Sequence, residues 1–102
     1  DASAFNSNIS NWNTSKVTNM GEMFYYALAF NSDISNWNTS SVTVMNSMFK
    51  DASAFNSNIS NWDTSNVIDM DFMFFGATSF NQDLLVGVSK LTRQQGFLKI
   101  QI

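Results

Sequence analysis

The chain has 102 residues, 44% of them hydrophobic, with a formal net charge of −3 and no Cys, His or Pro. That length holds one domain with a modest core, and the apolar fraction argues against wholesale disorder. Disulfides, thiolate nucleophiles, imidazole bases and the usual zinc sites are excluded, and no run of about 20 apolar residues is present to cross a bilayer as a helix.

The chain repeats itself. Asp1–Trp12 reads DASAFNSNISNW, and Asp51–Trp62 reads the same. Phe5, Phe30, Phe55 and Phe80 fall at intervals of 25, as do Trp12, Trp37 and Trp62, and Met20, Met45 and Met70. The units are therefore 1–25, 26–50, 51–75 and a partial 76–83, and a period of this length marks stacked repeats. The sequence opens inside a unit and without Met, so the expectation is a piece of a longer array.

Each unit has two halves. In the middle copy the first half, NSDISNWNTS, is polar, with Ile34 and Trp37 as its anchors. It predicts a short strand near Asp33 to Asn36, and a second strand is placed from Val42. In the second half Val42, Met45, Met48, Phe49 and Ala52 recur at intervals of three and four, the spacing of one helix face. A short helix or helical turn around 45–52 follows, with a β-helix lacking helices as the competing reading. If each turn adds one strand beside the last, the strands make a parallel sheet at about 4.8 Å per turn. Stacking then sets Phe5, Phe30, Phe55 and Phe80 in one internal column, and Trp12, Trp37 and Trp62 in another. Asn6, Asn31, Asn56 and Asn81 each follow a core Phe. They read as a ladder whose amides satisfy backbone groups at a turn, in preference to a ligand-binding row. The Asn/Asp-Thr-Ser runs at 13–15, 38–40 and 63–65 read as caps for the following helical turn.

Residues 84–102 depart from the pattern: Gly87, Thr92 and Gln95 stand where Trp, Val and Met are due. A cap over the open end of the columns is favoured, the alternative being the start of a next module. Residues 1–83 carry eight acids against Lys16 and Lys50, a net of −6, while 84–102 carry Lys90, Arg93 and Lys99 and no acid, a net of +3. The acidic body argues against a nucleic-acid partner, which needs a basic footprint. No equivalent cap precedes the first unit, so self-association through an exposed solenoid end is expected there.

The run Phe30-Asn31-x-Asp33-Ile34-Ser35-Asn36-Trp37-Asn38-Thr39-Ser40-x-Val42-Thr43-x-Met45-x-x-Met48-Phe49 resembles the roughly 25-residue repeat of bacterial surface proteins and mycoplasma lipoproteins, a group similar to BspA-like leucine-rich repeats. The third unit resembles it through Ile59, Trp62, Asp63, Thr64, Ser65, Val67, Met70, Met73 and Phe74. The resemblance implies an α/β solenoid: a leucine-rich-repeat-like, right-handed stack of turns, each with a short parallel β-strand and a short helical turn. It also implies an extracellular or cell-surface setting and adhesion-like binding of other macromolecules. It supplies no catalytic residue to carry over, and no lipid-attachment Cys is present.

Catalysis has little to work with. Asp33 and Asp83 share a repeat position that Asn8 and Asn58 hold in the other units, and at about 10 Å across two turns they make a poor dyad. Asp63, Asp69 and Asp71 offer too few oxygens for calcium. The expectation is therefore no enzyme, no cofactor and no metal. Asn-x-Ser/Thr at Asn8, Asn13, Asn38 and Asn58 reads as chance in an Asn- and Ser-rich chain. Function is expected where the copies differ, at Lys16, Tyr25, Lys50, Phe72 and Phe75, and at Tyr26. These residues form the candidate surface of a non-catalytic module that binds protein or another macromolecule, since aromatics dominate interface hot spots. For Phe72 and Phe75 packing on a neighbouring turn is the competing expectation. A purely structural spacer or stalk is the alternative function, and an ice-binding row of Thr14, Thr39 and Thr64 a remote one.

Overall fold

The structure, a computed structural model, describes residues 3–82; Asp83 and the divergent segment 84–102 lie outside that range. The described residues contain no α-helix and no β-strand. This corrects the expected α/β solenoid and its leucine-rich-repeat character. Among the described residues regular pairing is confined to two isolated parallel bridges, Asn19 with Val44 and Val44 with Asp69. The body measures 34 × 28 × 22 Å along its principal axes.

Tight turns take the place of both elements. In the middle unit the backbone N–H of Trp37 donates to the Ile34 carbonyl, Val42 to Thr39, Met48 to Met45, Ala52 to Phe49 and Phe55 to Ala52, at 3.0–3.3 Å. Every one of these bonds joins a buried residue to another buried residue three places on. A chain of such turns returns to the core side every third or fourth residue, which reproduces the helical spacing without a helix. A helix cannot develop because the left-handed region is entered twice in each copy. It is entered at Glu22 and Tyr26, at Ser47 and Asp51, and at Phe72 and Gly76, with φ between 55° and 79°. One left-handed residue ends a right-handed helix.

The expected strand fails for a different reason. Asp33 Oδ1 accepts from the Ser35 N–H at 2.9 Å and from its hydroxyl at 2.7 Å. Asn38 does the same for Ser40 at 3.0 and 2.6 Å. These side chains offer the backbone a local turn in competition with a ladder. The Asn/Asp-Thr-Ser runs are thus turn closures rather than helix caps.

What joins the copies is a second set of bonds, interleaved with the turns. The N–H groups of Met20, Glu22, Phe24 and Tyr26 donate to the carbonyls of Val44, Asn46, Met48 and Lys50 at 2.8–2.9 Å. Met45, Ser47, Phe49 and Asp51 donate in the same way to Asp69, Asp71, Met73 and Phe75 at 2.7–2.9 Å. Between them, Met23, Tyr25 and Ala27 donate back along their own chain to Met20, Glu22 and Phe24. Alternate peptides therefore point along the stack, and those between close turns.

Aromatic rings fill the interior. Phe5, Phe30, Phe55 and Phe80 stack with centroids 5.8–5.9 Å apart, and Trp12, Trp37 and Trp62 with centroids 6.1 and 6.5 Å apart. These spacings exceed the roughly 4.8 Å between paired backbones, so the rings are offset, the geometry their quadrupoles prefer. Phe24, Phe49 and Phe74 make a third row at 5.5 and 5.6 Å. Each of its rings also lies 3.9–4.2 Å from the ring of the first Phe row that follows it in the next unit. Met20, Met45 and Met70 are buried among them.

Candidate functional site

Six of the residues singled out above divide into a group and an outlier. Tyr25, Lys50 and Phe75 hold the same place in successive units, directly after the Phe24, Phe49, Phe74 row. The core ring of each unit therefore faces in and the next side chain faces out. Tyr25 and Tyr26 are 45% and 51% exposed, and Phe72 and Phe75 are 40% and 39% exposed. The half-buried Lys50 lies among them, its Nζ 5.6 Å from the Tyr25 ring centre and 5.7 Å from those of Phe72 and Phe75. Phe72 and Phe75 meet edge to face at 5.8 Å, and Tyr25 and Tyr26 lie 6.4 Å apart. An ammonium held over ring faces is attracted by their quadrupoles. Lys16 is the outlier: it is exposed, and no cation–aromatic contact among the described residues joins it to these rings.

Two members of the group sit on costly backbone. Tyr26 has φ 61° and Phe72 φ 58°, where a Cβ meets the following carbonyl oxygen and glycine is the favoured residue. The partial unit 76–83 does place Gly76 at the position of Tyr26. Large side chains at such positions, not drawn into the core, are a form of strain that gathers at functional surfaces.

The remaining candidates serve the framework. Thr14, Thr39 and Thr64 are buried. The Thr14 hydroxyl donates to the Asn38 carbonyl and the Thr39 hydroxyl to the Asp63 carbonyl, both at 3.0 Å. No flat outward row of these Thr residues exists to meet ice. Asn6, Asn31 and Asn56 each accept, through Oδ1, the N–H of the equivalent Asn in the next unit at 2.7–2.8 Å. At the Asn-x-Ser/Thr positions, Asn8, Asn13, Asn38 and Asn58 each accept from the backbone N–H two residues on. Asp63 and Asp69 are engaged likewise. Among the described residues no cluster of three acidic, His or Cys side chains is placed to hold a metal ion, and no pocket is formed. The Ser35 hydroxyl, and then its backbone N–H, hold the exposed Asp33 carboxyl below its ordinary range. That is the opposite of what a general acid needs near neutrality.

Reading the sequence alone misses three exposed apolar residues, Trp12, Met23 and Ile68. Trp12 is 54% exposed although Trp37 and Trp62 are buried, and Ile68 is 73% exposed. The signal for Ile68 was available, since Thr18 and Thr43 hold its place in the other units. Trp12 differs because its unit is first in the stack. Among the described residues no helix is long and apolar enough to cross a membrane.

Residues 1–98 match the family model described as "Mycoplasma protein of unknown function, DUF285". No curated protein and no solved structure matches the chain.

Proposed function

The chain belongs to that mycoplasma family of unknown function, and on this premise we propose that it is a non-catalytic binding module. Its contact surface is the patch of Tyr25, Tyr26, Lys50, Phe72 and Phe75. The observation that carries this reading is that rings from separate units gather around one lysine on the outside, while every other repeated Phe lies in the core rows. Aromatic side chains give large contact area at low entropic cost and dominate binding hot spots. The partner is an extracellular protein or another surface macromolecule, and the setting is the outside of the cell, as for the surface-protein repeats that the pattern resembles. Nucleic acid is disfavoured by the acidic body.

The test uses the left-handed backbone at Tyr26. Replacing Tyr26 by Gly removes the ring and relieves the strain, so loss of binding and loss of folding separate. Binding to a panel of extracellular matrix proteins and glycans should weaken at least tenfold in Tyr26→Gly with Tyr25→Ala, while the melting temperature of Tyr26→Gly alone holds or rises. Unchanged binding by the double variant would sink the proposal.

A further inference from the structure

Lys50 sits in the middle of the aromatic patch, and nothing among the described residues answers its charge. Its Nζ lies 5.6–5.7 Å from three ring centres, yet it makes no hydrogen bond and no ion pair among the described residues. Ring faces attract an ammonium, but its three N–H donors still need acceptors. Asp51 follows it in sequence, and the Asp51 carboxylate is turned elsewhere, its Oδ1 filling the space over Gly76 where a Cβ would stand. The place faces outward along the stack and not at one end alone: Tyr25 and Phe75 are exposed in the flanking units, with the half-buried Lys50 between them. The backbone beneath is fully engaged, since the N–H groups of residues 22–27 and 47–52 all donate within the protein.

Resting on the reading of this patch as a binding surface, we infer that its ligand is an acidic sugar, a glycan unit carrying a single carboxylate. The carboxylate pairs with the Lys50 ammonium and takes up its N–H donors. The C–H face of the sugar lies on the rings of Tyr25 and Phe75, whose faces carry the negative end of the quadrupole. The Tyr25 and Tyr26 hydroxyls make no hydrogen bond among the described residues and are open to the hydroxyls of the sugar. A peptide fits this surface less well. It brings backbone donors and acceptors that need partners, and the engaged N–H groups below the patch supply none. Among the described residues no pocket is formed, so the ligand lies on the surface, as a sugar ring can. A polyanion is disfavoured, because Glu22 and Asp51 stand beside the patch and residues 1–83 carry eight acids against two lysines.

The experiment titrates the full chain with a glucuronic-acid-terminated oligosaccharide and with its glucose-terminated counterpart, which lacks only the carboxylate. The acidic sugar should bind about fivefold tighter, and the preference should shrink as sodium chloride is raised. Lys50→Met should erase the preference and keep the binding of the neutral sugar, which reports that the patch is still folded. Tyr25→Ala should weaken both sugars alike. Equal binding of the two sugars, binding of neither at millimolar concentration, or a preference indifferent to salt overturns the inference on the unaltered protein. So does a preference that survives Lys50→Met, or an acidic peptide bound in place of the sugar. Loss of both sugars in Lys50→Met at an unchanged melting temperature also overturns it, by giving Lys50 the task of holding the rings. The double variant Tyr25→Ala with Tyr26→Gly separates this result from the fate of the patch. Macromolecule binding lost there without any sugar preference overturns the ligand class alone, whereas macromolecule binding unchanged there removes the patch itself.

Discussion

Asn and Asp at one repeat position show how little the framework asks of a side chain. Asn8 and Asn58 accept from the N–H groups of Ser10 and Ser60 much as Asp33 accepts from Ser35. Of these three described copies the middle one carries the carboxyl, lowered by the Ser35 hydroxyl and then the Ser35 N–H. A carboxyl depressed in the folded state contributes stability that is present above its unfolded value. That contribution is lost as pH falls through the folded value. Asp33→Asn should therefore keep the turn and flatten part of the acid limb of the stability–pH curve below about pH 4, the unfolded carboxylate range. Denaturant midpoints measured from pH 7 down to pH 2 check this, and an unchanged acid limb contradicts it. Tyr26 makes the complementary point, since relief of left-handed strain by Gly is on the order of 1 kcal/mol.

Turns rather than helices or strands are the elements here, and they explain what the sequence disclosed and what it hid. The intervals of three and four at Val42, Met45, Met48, Phe49 and Ala52 are real, and all five residues are buried. A helix and a chain of i to i+3 turns leave the same imprint of buried positions. The choice between them lies in the sign of φ at Ser47 and Asp51. Neither residue announces that sign, and the equivalent residues Glu22, Phe72 and Tyr26 announce it still less. The aromatic rows were legible because ring recurrence at 25 does not depend on local conformation. The Lys50 cluster was legible only in part. Its residues stood out as places where copies differ, but nothing in the sequence set Phe72 and Phe75 about the same ammonium. Equivalent tryptophans offer an internal test of the joints between units. Trp37→Phe removes the buried indole bond to the Ile9 carbonyl, which keeps its bond from the Trp12 N–H, at a cost of about 0.5–1.5 kcal/mol. Trp12→Phe breaks no such bond and should cost under about 0.5 kcal/mol, as surface changes do. Urea titration of the two variants checks the contrast, and equal losses would contradict it.

At the scale of the molecule, the described residues hold together without helix or strand because their backbone bonds run between copies far apart in sequence. Far-UV circular dichroism should accordingly lack the paired minima of helix near 208 and 222 nm over residues 3–82; a helical spectrum from a chain ending at residue 82 would contradict the turn-built architecture. Phe49 touches rings of both neighbouring units, at 3.9 Å from Phe55 and 5.5–5.6 Å from Phe24 and Phe74. Phe49→Ala should cost about 3–5 kcal/mol, a large share of the stability of a domain this small. One last property follows from the interleaved bonds. In an ordinary sheet successive peptides face opposite ways and their dipoles cancel. Here the Thr43, Val44 and Ile68 N–H groups aim back at the preceding copy, but from Met20 to Ala27 the intervening peptides are spent on turns, and those at 19–20, 21–22, 23–24 and 25–26 all aim their N–H groups toward the next copy. Each such peptide carries about 3.5 D, so the moments add sideways across the copies. The body becomes an electric dipole lying across its chain direction, with its negative pole at the first unit.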